Sequence, residues 1–349
     1  MFQIIDQTLV LGSKGEKAIY EVQYFPNREF LFHIRKIGHW LHINFLMDVI
    51  FFNDFGHSNC EHILIDSFRK LKEVVMKKIV VPIDFSSCSK NAFENAIKIA
   101  DRMQMELVLY HAVNIPVGFA EGVPAGGLEY VYEDLEKQAR TDLENLKDEF
   151  PKLEKIIHSI FIEYGPLHEG INDINQDGKV ALVVMGTHGS TGFAKALIGS
   201  NALHVIKQVN VPIIVLPEDS DITKMTHIGL AGDFLSVPNP DIIHLVIDLV
   251  KAFYAQLHII HIDTGDVEVK AQIDIARRME KYLKQTNHTF HFRKFEDVEE
   301  GLEATAKELN IHLLTMIARN HSFFESLRHR SHTKNMVLDV PMPIMVLHE

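Results

Sequence analysis

The chain is poor in the residues that build covalent or metal-bound frameworks. Only Cys60 and Cys88 occur among its 349 residues, which excludes a disulfide framework and a cysteine-based metal site. No apolar run approaches the roughly 20 residues of a membrane-spanning helix, since the best, residues 41–52, is short and contains Asp48. The start of the chain lacks the basic region and small-residue cleavage site of a signal peptide. These absences predict a cytoplasmic protein.

An excess of basic residues is also missing. The sequence has 47 acidic against 35 basic residues and a formal net charge of −12, which argues against general affinity for nucleic acid or anionic membrane surfaces. Its length suits two domains of ordinary size, and its 46% hydrophobic content is that of a globular protein. We therefore expect small molecules and proteins, not nucleic acid or membrane, as partners.

One glycine-rich stretch indicates a particular chemistry. Its pattern, Gly-x2-Gly-x9-Gly-Ser, is formed by Gly186, Gly189, Gly199 and Ser200 between an apolar run and a helix-like run. Glycine permits positive φ and the close approach of a ligand to the backbone. Ser200 stands where an N-cap is expected, and the following helix offers N–H groups and the positive end of its dipole. The pattern predicts a phosphate site, and the alternative is a turn that only packs a strand against a helix.

The chain contains an internal repeat. Two apolar segments that end in Asp-Phe, residues 79–85 and 228–234, lie 149 residues apart. Further matches join residues 107–111 to 258–261 at a shift of 150, and residues 211–216 to 342–347 at a shift of 131. The fall in the shift (150 − 131) means that the second copy lacks about 19 residues of the first.

Each copy alternates strands and helices. In the first copy we expect strands near 78–83, 106–113, 155–162, 180–185 and 212–216, and helices near 88–103, 129–150, 167–175 and 200–209. Continuous Val/Ile/Leu strands are typical of parallel sheets covered on both faces. We predict an α/β fold of two tandem doubly wound open parallel sheets, in domains 76–218 and 224–349. If the strand order is 3-2-1-4-5, Asp84 and Gly186 flank the switch point, where ligands bind.

These features together resemble the universal stress protein family in its tandem two-domain form. The resemblance covers about residues 76–349. It is carried by Val81-Pro-Ile-Asp-Phe-Ser86, Leu109-Tyr-His-Ala112, the glycine-rich stretch and Val211-Pro-Ile-Ile-Val-Leu-Pro217. It implies an adenine nucleotide alpha-hydrolase-like fold and a stress-responsive regulator that binds ATP or AMP, with Mg²⁺ as an accompanying ion.

The resemblance also implies the residues of the site. Asp84 and the main chain near Ala112 would contact the adenosine. The ribose and phosphates would lie among a second set, which consists of Gly186, His188, Gly189, Gly199, Ser200 and Asn201.

The second copy departs from this pattern. The shift of 131 places Ile317, Asn320 and Arg330 at the three glycine positions. A β-branched residue is unsuited to a special backbone angle or to close ligand approach. We therefore predict one nucleotide site per chain, in the first copy, and interpret Asp233 in the second copy as a strand-end residue that caps the next helix.

In place of glycines the second copy carries basic side chains. They are Arg319, His321, Arg328, His329, Arg330, His332 and Lys334. A solvated loop is the favoured interpretation. The alternatives are an anion or phosphorylated-partner site made by the cations, and a metal site containing His329 and His332.

Two histidines recur at the same strand end in both copies. They are His111 and His261, which end the second strand of each repeat. Only one copy has the glycine-rich stretch, so we expect packing or hydrogen bonding, not ligand binding, to explain both.

Residues 1–75 differ in composition from the rest. They hold 12 of the 31 aromatic residues and show no sustained helical or strand period. We expect an extension outside the two domains, with Met76 as the native start. The alternative is an aromatic-rich extension that docks on the sheet edge or on a partner.

The sequence predicts a regulator and not an enzyme. No Ser/His/Asp set, paired carboxylates or Gly-Lys-Ser/Thr loop can be assigned, and no clamp for phosphoryl transfer is apparent, so we name no catalytic residue and no metal ligand. We expect a protein partner, and an internal pseudo-dimer joined through strands 211–216 and 344–347, which are edges in need of cover. A homodimer of such chains is a further assembly to expect. A slow ATPase or phosphotransferase, and a nucleotide-independent interaction module, are the alternatives.

Overall fold

A computed structural model of the chain falls into two compact units, Met1–Val74 and Val75–Glu349. It describes residues 76–113, 127–187, 198–232, 238–265, 269–318 and 342–348, together with the backbone of four strands within residues 7–46. None of the described helices is long and apolar enough to cross a membrane.

The first unit contains an antiparallel meander. Its strands are β1 (Gln7–Leu11), β2 (Ala18–Tyr24), β3 (Glu29–Lys36) and β4 (His39–Leu46), paired in chain order. The expectation of no strand pattern in this segment is therefore wrong for these four stretches. Aromatic and β-branched residues favour strands, so the aromatic content was the available signal, although the alternation was not regular enough to use.

The first half of the second unit is a parallel five-stranded sheet. Its strands are β5 (Lys78–Pro82), β6 (Glu106–Val113), β7 (His158–Tyr164), β8 (Val180–Gly186) and β9 (Ile213–Leu216), in the order β7-β6-β5-β8-β9. The helices are α1 (Ser87–Met103), α2 (Gly127–Asp148), α3 (Leu167–Ile174) and α4 (Ser200–Gln208). This confirms the predicted order 3-2-1-4-5. The largest difference from the predicted element bounds is the start of β7, which was expected near residue 155 and lies at His158. The reason is that Pro151–Lys155 form a 3-10 helix.

The second half repeats the topology. Its strands are β10 (His227–Ala231), β11 (Gln256–Asp263), β12 (His288–Lys294), β13 (Leu313–Ala318) and β14 (Ile344–His348), in the order β12-β11-β10-β13-β14. The helices described in this half are α5 (Pro240–Phe253), α6 (Val269–Leu283) and α7 (Val298–Glu308). The order is again 3-2-1-4-5.

The two halves join through their last strands, as predicted from the need to cover these edges. β9 and β14 pair antiparallel, with Ile344 opposite Val215 and Val346 opposite Ile213. The result is one continuous ten-stranded sheet in place of two separate ones. Because the joint is antiparallel, the carboxyl ends of the two sets of strands lie at opposite edges of this sheet.

An apolar core covers each face of the sheet. Side chains of α1, α2, α5 and α6 form the core on one face, and those of α3, α4 and α7 contribute to the core on the other. Both cores continue across the joint between the halves. α1 also contacts α5 directly, since Arg102 lies 4.5 Å over the ring centroid of Phe253 and donates to the carbonyl of Ala252 at 3.4 Å.

Candidate functional site

The predicted switch point lies at the carboxyl ends of β5 and β8. These strands are parallel neighbours, with Ile79 opposite Leu182 and Val80 opposite Val183. Asp84 follows β5 by two residues and is exposed, and Gly186 is the last residue of β8. The structure therefore brings the two sides of the predicted site to one edge of the sheet.

A tight turn positions the carboxylate of Asp84. Its Oδ1 accepts hydrogen bonds from the backbone N–H and the hydroxyl of Ser86, at 3.1 and 2.6 Å. Phe85 between them has a φ of 64°, which is uncommon for a bulky residue. Ser86 in turn caps α1, because its side chain accepts from the N–H of Ser89 at 3.1 Å. One aspartate and one serine thus hold the end of β5, the turn and the start of α1 together.

The backbone near Ala112 extends beyond β5. Pro82 and Tyr110 are the last pair between β5 and β6, while β6 continues to Val113 alongside β7. His111 fills part of this step, since its Nδ1 lies 2.7 Å from the carbonyl of Ile83. Main-chain groups at Ala112 therefore reach the same edge as Asp84.

The second half reproduces the histidine contact. His261 Nδ1 lies 3.0 Å from the carbonyl of Gly232, as His111 Nδ1 lies 2.7 Å from that of Ile83. A carbonyl only accepts, so Nδ1 carries the proton in both rings. The interpretation of these two histidines as hydrogen-bonding residues of the fold is confirmed.

Gly186 is required for packing. A Cβ at this position would lie 2.6 Å from Cys88 Sγ and 3.0 Å from the carbonyl carbon and oxygen of Cys88. Positive φ is not the reason, because among the described glycines it occurs at Gly165, Gly178 and Gly265. At Gly186 the prediction of a special backbone angle is wrong, and the missing side chain lets α1 pack closely against β8.

We expect Gly186→Ala to lower the free energy of unfolding by about 2 kcal/mol, because an added Cβ forces the first turn of α1 away from β8. Urea unfolding without nucleotide measures this loss. Loss of nucleotide binding with an unchanged unfolding midpoint would contradict it, since Gly186 would then act through the ligand.

The second end of the glycine-rich stretch opens α4. The N–H of Gly199 donates to the carbonyl of Thr187 at 2.7 Å, and the N–H of Thr187 donates to that of Leu216 at 3.0 Å. Gly199, with φ −64° and ψ 162°, is the N-cap, and no side chain caps the helix. The prediction of Ser200 as N-cap is therefore wrong by one residue. Ser200 and Asn201 are exposed in the first turn, where N–H groups suit an anion.

Several predicted residues lie outside the described part of the chain. In the first half these are His188 and Gly189. In the second half they are Asp233, Asn320 and the basic set from Arg319 to Lys334, with both of its alternative readings. Among the described residues, no group of three or more His, Cys, Asp or Glu side chains is arranged to hold a metal ion.

Strand register supports the comparison of the two copies at Ile317. In the first half Gly186 pairs with Leu216, and in the second half Ile317 pairs with Leu347, so the shift of 131 holds on both strands. Helix α5 begins at Pro240, four residues after the position equivalent to the start of α1 at Ser87 under the shift of 149. Ile317 therefore has a side chain at the position where the first half has none, and where the first half has no room for one.

Some residues of the site were not predicted. Ser86 bonds to Asp84, Cys88 packs on Gly186, and Ser87 donates a hydrogen bond from its hydroxyl to Glu218 after β9. The Asp-x-Ser spacing of Asp84 and Ser86 is a known turn signal and could have identified the first. The other two depend on the approach of α1 to β8 and β9, which local sequence does not encode.

Comparisons with known proteins find similar sequences and a similar fold. Residues 76–217 match the model of the Universal stress protein family. Universal stress protein MJ0531 of Methanocaldococcus jannaschii is 32% identical over 157 residues, which cover 45% of this chain and 91% of that protein. Universal stress protein YxiE of Bacillus subtilis is 25% identical over 148 residues, covering 41% and 99%.

A solved structure extends the likeness across both halves. The crystal structure of a universal stress protein from Archaeoglobus fulgidus has a TM-score of 0.60 to this chain, covers 78% of it and 98% of its own chain, and is 18% identical. At this identity the likeness shows the fold alone. The structural match covers 78% of this chain, which is more than either half alone, so it extends over both halves.

Proposed function

The chain belongs to the universal stress protein family, and from this premise we propose that it is a stress-responsive cytosolic regulator that binds one adenine nucleotide, ATP or AMP. The site would be the carboxyl edge of the first half. Asp84 and the backbone near Ala112 would contact the adenosine, and Gly186, His188, Gly189, Gly199, Ser200 and Asn201 would surround the ribose and phosphates. The halves would be tandem domains, 76–218 and 224–349, that form an internal pseudo-dimer.

The start of α4 is the observation that carries this proposal. Gly199 provides no side chain to cap the helix, so the N–H groups of the first turn suit phosphate oxygens, which the helix dipole also favours. Asp84 approaches the same edge from β5, with its carboxylate oriented by Ser86. A phosphate-binding end and a polar group for the sugar or base are therefore presented together.

The described side chains do not form a cage for Mg²⁺. No group of three possible ligands exists among them. Mg²⁺ usually keeps several waters and is bound through substrate phosphates and one or two carboxylates. The proposal therefore assigns Mg²⁺ to the bound nucleotide and not to a separate protein site.

One nucleotide per chain is the expected stoichiometry. Ile317 occupies the register position of Gly186, and the glycine pattern is absent from the second copy. Equilibrium dialysis of the full chain with labelled ATP, and separately with AMP, measures the number of sites. Two sites would contradict the assignment to the first half, and none would favour the nucleotide-independent interaction module.

Turnover distinguishes a regulator from an enzyme. The described residues at this edge include no identified charge-stabilising clamp, although efficient phosphoryl transfer needs one. We therefore propose binding without efficient hydrolysis. Steady ATP hydrolysis by the purified chain that an Asp84→Asn change abolishes would support the slow ATPase instead.

A further inference from the structure

A row of four histidines crosses the second half of the sheet. His312 precedes β13, and His227, His258 and His291 lie on β10, β11 and β12. His227 Nδ1 lies 2.9 Å from His258 Nε2, and His258 Nδ1 lies 2.9 Å from His291 Nε2. The rings of His227 and His312 stack with centroids 5.8 Å apart. We call these four residues the histidine row.

The centre of the row is withdrawn from water, and its other three members are partly buried. His258 at its centre is 5% exposed. The charged groups that face it are Arg293 of β12 and Glu308 at the end of α7, which pair with each other at 2.9 Å. Asn310 lies 3.4 Å from His312 Nε2. A proton gained by the row would therefore add charge in a place with little solvent.

The fold itself does not require imidazoles here. His258 pairs with Gly229 and Thr289 as Val108 of the first half pairs with Val80 and Ser159. The same registers place Lys78, Phe161 and Ala181 at the positions of His227, His291 and His312. The first half builds the same sheet without a histidine at any of these four positions, so the row is a feature of the second half alone.

The hydrogen bonds of the row can all form when its rings are neutral, but not when two adjacent rings are both positively charged. A neutral imidazole has one donor and one acceptor nitrogen, so a single proton between each pair of rings makes each contact a hydrogen bond. When two hydrogen-bonded rings are both positively charged, the contact between them sets two N–H groups against each other. The row therefore accepts few protons without opening.

The pKa values of three histidines in the row are lowered, which also indicates that the row resists protonation. Burial lowers the pKa of His258 to about 4, and His291 and then His227 add to the effect. Burial also lowers the pKa of His291, helped by Arg293 and opposed by Glu308. Burial, followed by the charge of His227, lowers the pKa of His312.

We propose that the histidine row is a proton-responsive element that supports the second half at neutral pH and loosens it on acidification. A histidine in an opened state titrates near 6.5, whereas His258 in the closed row has a pKa of about 4. Between these values the opened state binds more protons. The stability that the histidine row contributes to the second half is therefore fully present above about pH 6.5. It is lost as the pH falls toward about 4.

Hydrogen exchange of the full chain tests this proposal. Protection factors, corrected for intrinsic exchange rates, are compared at about pH 7.5 and about pH 5 for β10–β12 and for β5, β6 and β8. We expect acid to lower protection in β10–β12 on the order of tenfold more than in the first half, as one displaced histidine pKa requires. This readout does not involve nucleotide, so it stands or falls apart from the proposed function.

Two variants distinguish an acid response caused by the histidine row from an acid response that has another origin. His258→Val introduces the residue of the first half and is expected to remove most of the extra acid response. His244→Ala changes an exposed histidine on α5 and is expected to keep it. Equal acid responses in the two halves of the unaltered chain, or a full response in His258→Val, would overturn the proposal.

A direct titration of the unaltered chain tests the proposal even if the His258→Val variant fails to fold. Carbon-13 NMR of the histidine rings in the unaltered chain is expected to show one ring that stays neutral to below about pH 5, a ring that His291→Phe also perturbs. If every ring titrates near 6.5, the ordinary value, the row does not resist protons and the proposal is wrong.

Discussion

Replacing Gly199 by Asp is expected to weaken ATP binding about 100-fold, which corresponds to about 2.7 kcal/mol, while the chain stays at least as stable. Gly199 has an extended backbone, with φ −64° and ψ 162°, that any residue can adopt. Aspartate at an N-cap accepts from the N–H groups of the first turn. It would thus occupy the donors that the proposed site reserves for phosphate and would place a negative charge beside them.

The size of this effect follows from charge. Hydrogen bonds to charged groups contribute about 1.5 to 3 kcal/mol each, and a carboxylate at the N-cap both removes such bonds and repels the phosphates. Calorimetric titration of the full chain with ATP measures the affinity. Thermal unfolding without ligand measures the stability, where a gain of a few tenths of a kcal/mol is expected from the new cap.

Gly199→Asn is the matched control. Its amide caps the helix in the same way but carries no charge, so we expect a smaller loss, about tenfold, with similar stability. Wild-type affinity in Gly199→Asp would mean that the phosphates do not lie at α4. That result would remove the main support for the proposed site.

Most element bounds could be predicted because they depend on local composition, whereas the strand order belongs to the fold that the family resemblance implies. The Val/Ile/Leu runs at Lys78–Pro82 and Val180–Gly186 need no partner to be recognised, and the repeat applied the same order to the second half. The first turn of α4 was harder, because a shift of one residue moves the cap from Ser200 to Gly199. Cap positions depend on local geometry that differs by single residues.

Features that depend on several elements could not be predicted. Gly186 was recognised, but its reason, the approach of Cys88 from α1, is a contact between residues about 100 positions apart. The histidine row brings together residues of β10, β11 and β12 and the residue before β13, whose register is set only in the folded sheet. Twenty-one histidines in the sequence offered no means of choosing these four.

The segment between the halves supplies the second large prediction, through a buried asparagine of α1. Asn95 is fully buried. Its Nδ2 donates to the carbonyls of Asn91 and Ser220, both at 2.9 Å, and its Oδ1 accepts from the N–H of Ile222 at 2.7 Å. Ser220 and Ile222 lie between β9 and β10, so one side chain binds the connection to the core of the first half.

Asn95→Leu is expected to lower the free energy of unfolding by about 3 kcal/mol. Leucine keeps the branched shape of asparagine but is larger, so some of the cost is overpacking. The rest arises from the N–H of Ile222, which loses its acceptor in a buried place, where an unsatisfied group costs about 1 to 3 kcal/mol, and from the lost bond to Ser220. Urea unfolding of the full chain, followed by fluorescence and by circular dichroism, measures the change.

Asn91→Leu separates this effect from a general loss of polarity in α1. Asn91 is only partly buried, and its Nδ2 donates at 3.1 Å to the carbonyl of Ser220, which keeps its bond to Asn95. A loss of about 1 kcal/mol or less is therefore expected. Equal losses in the two variants would show that the connection is not held by Asn95. A larger loss in Asn95→Leu would identify this buried amide as the residue through which α1, whose first turn packs against Gly186, supports the entry to the second half.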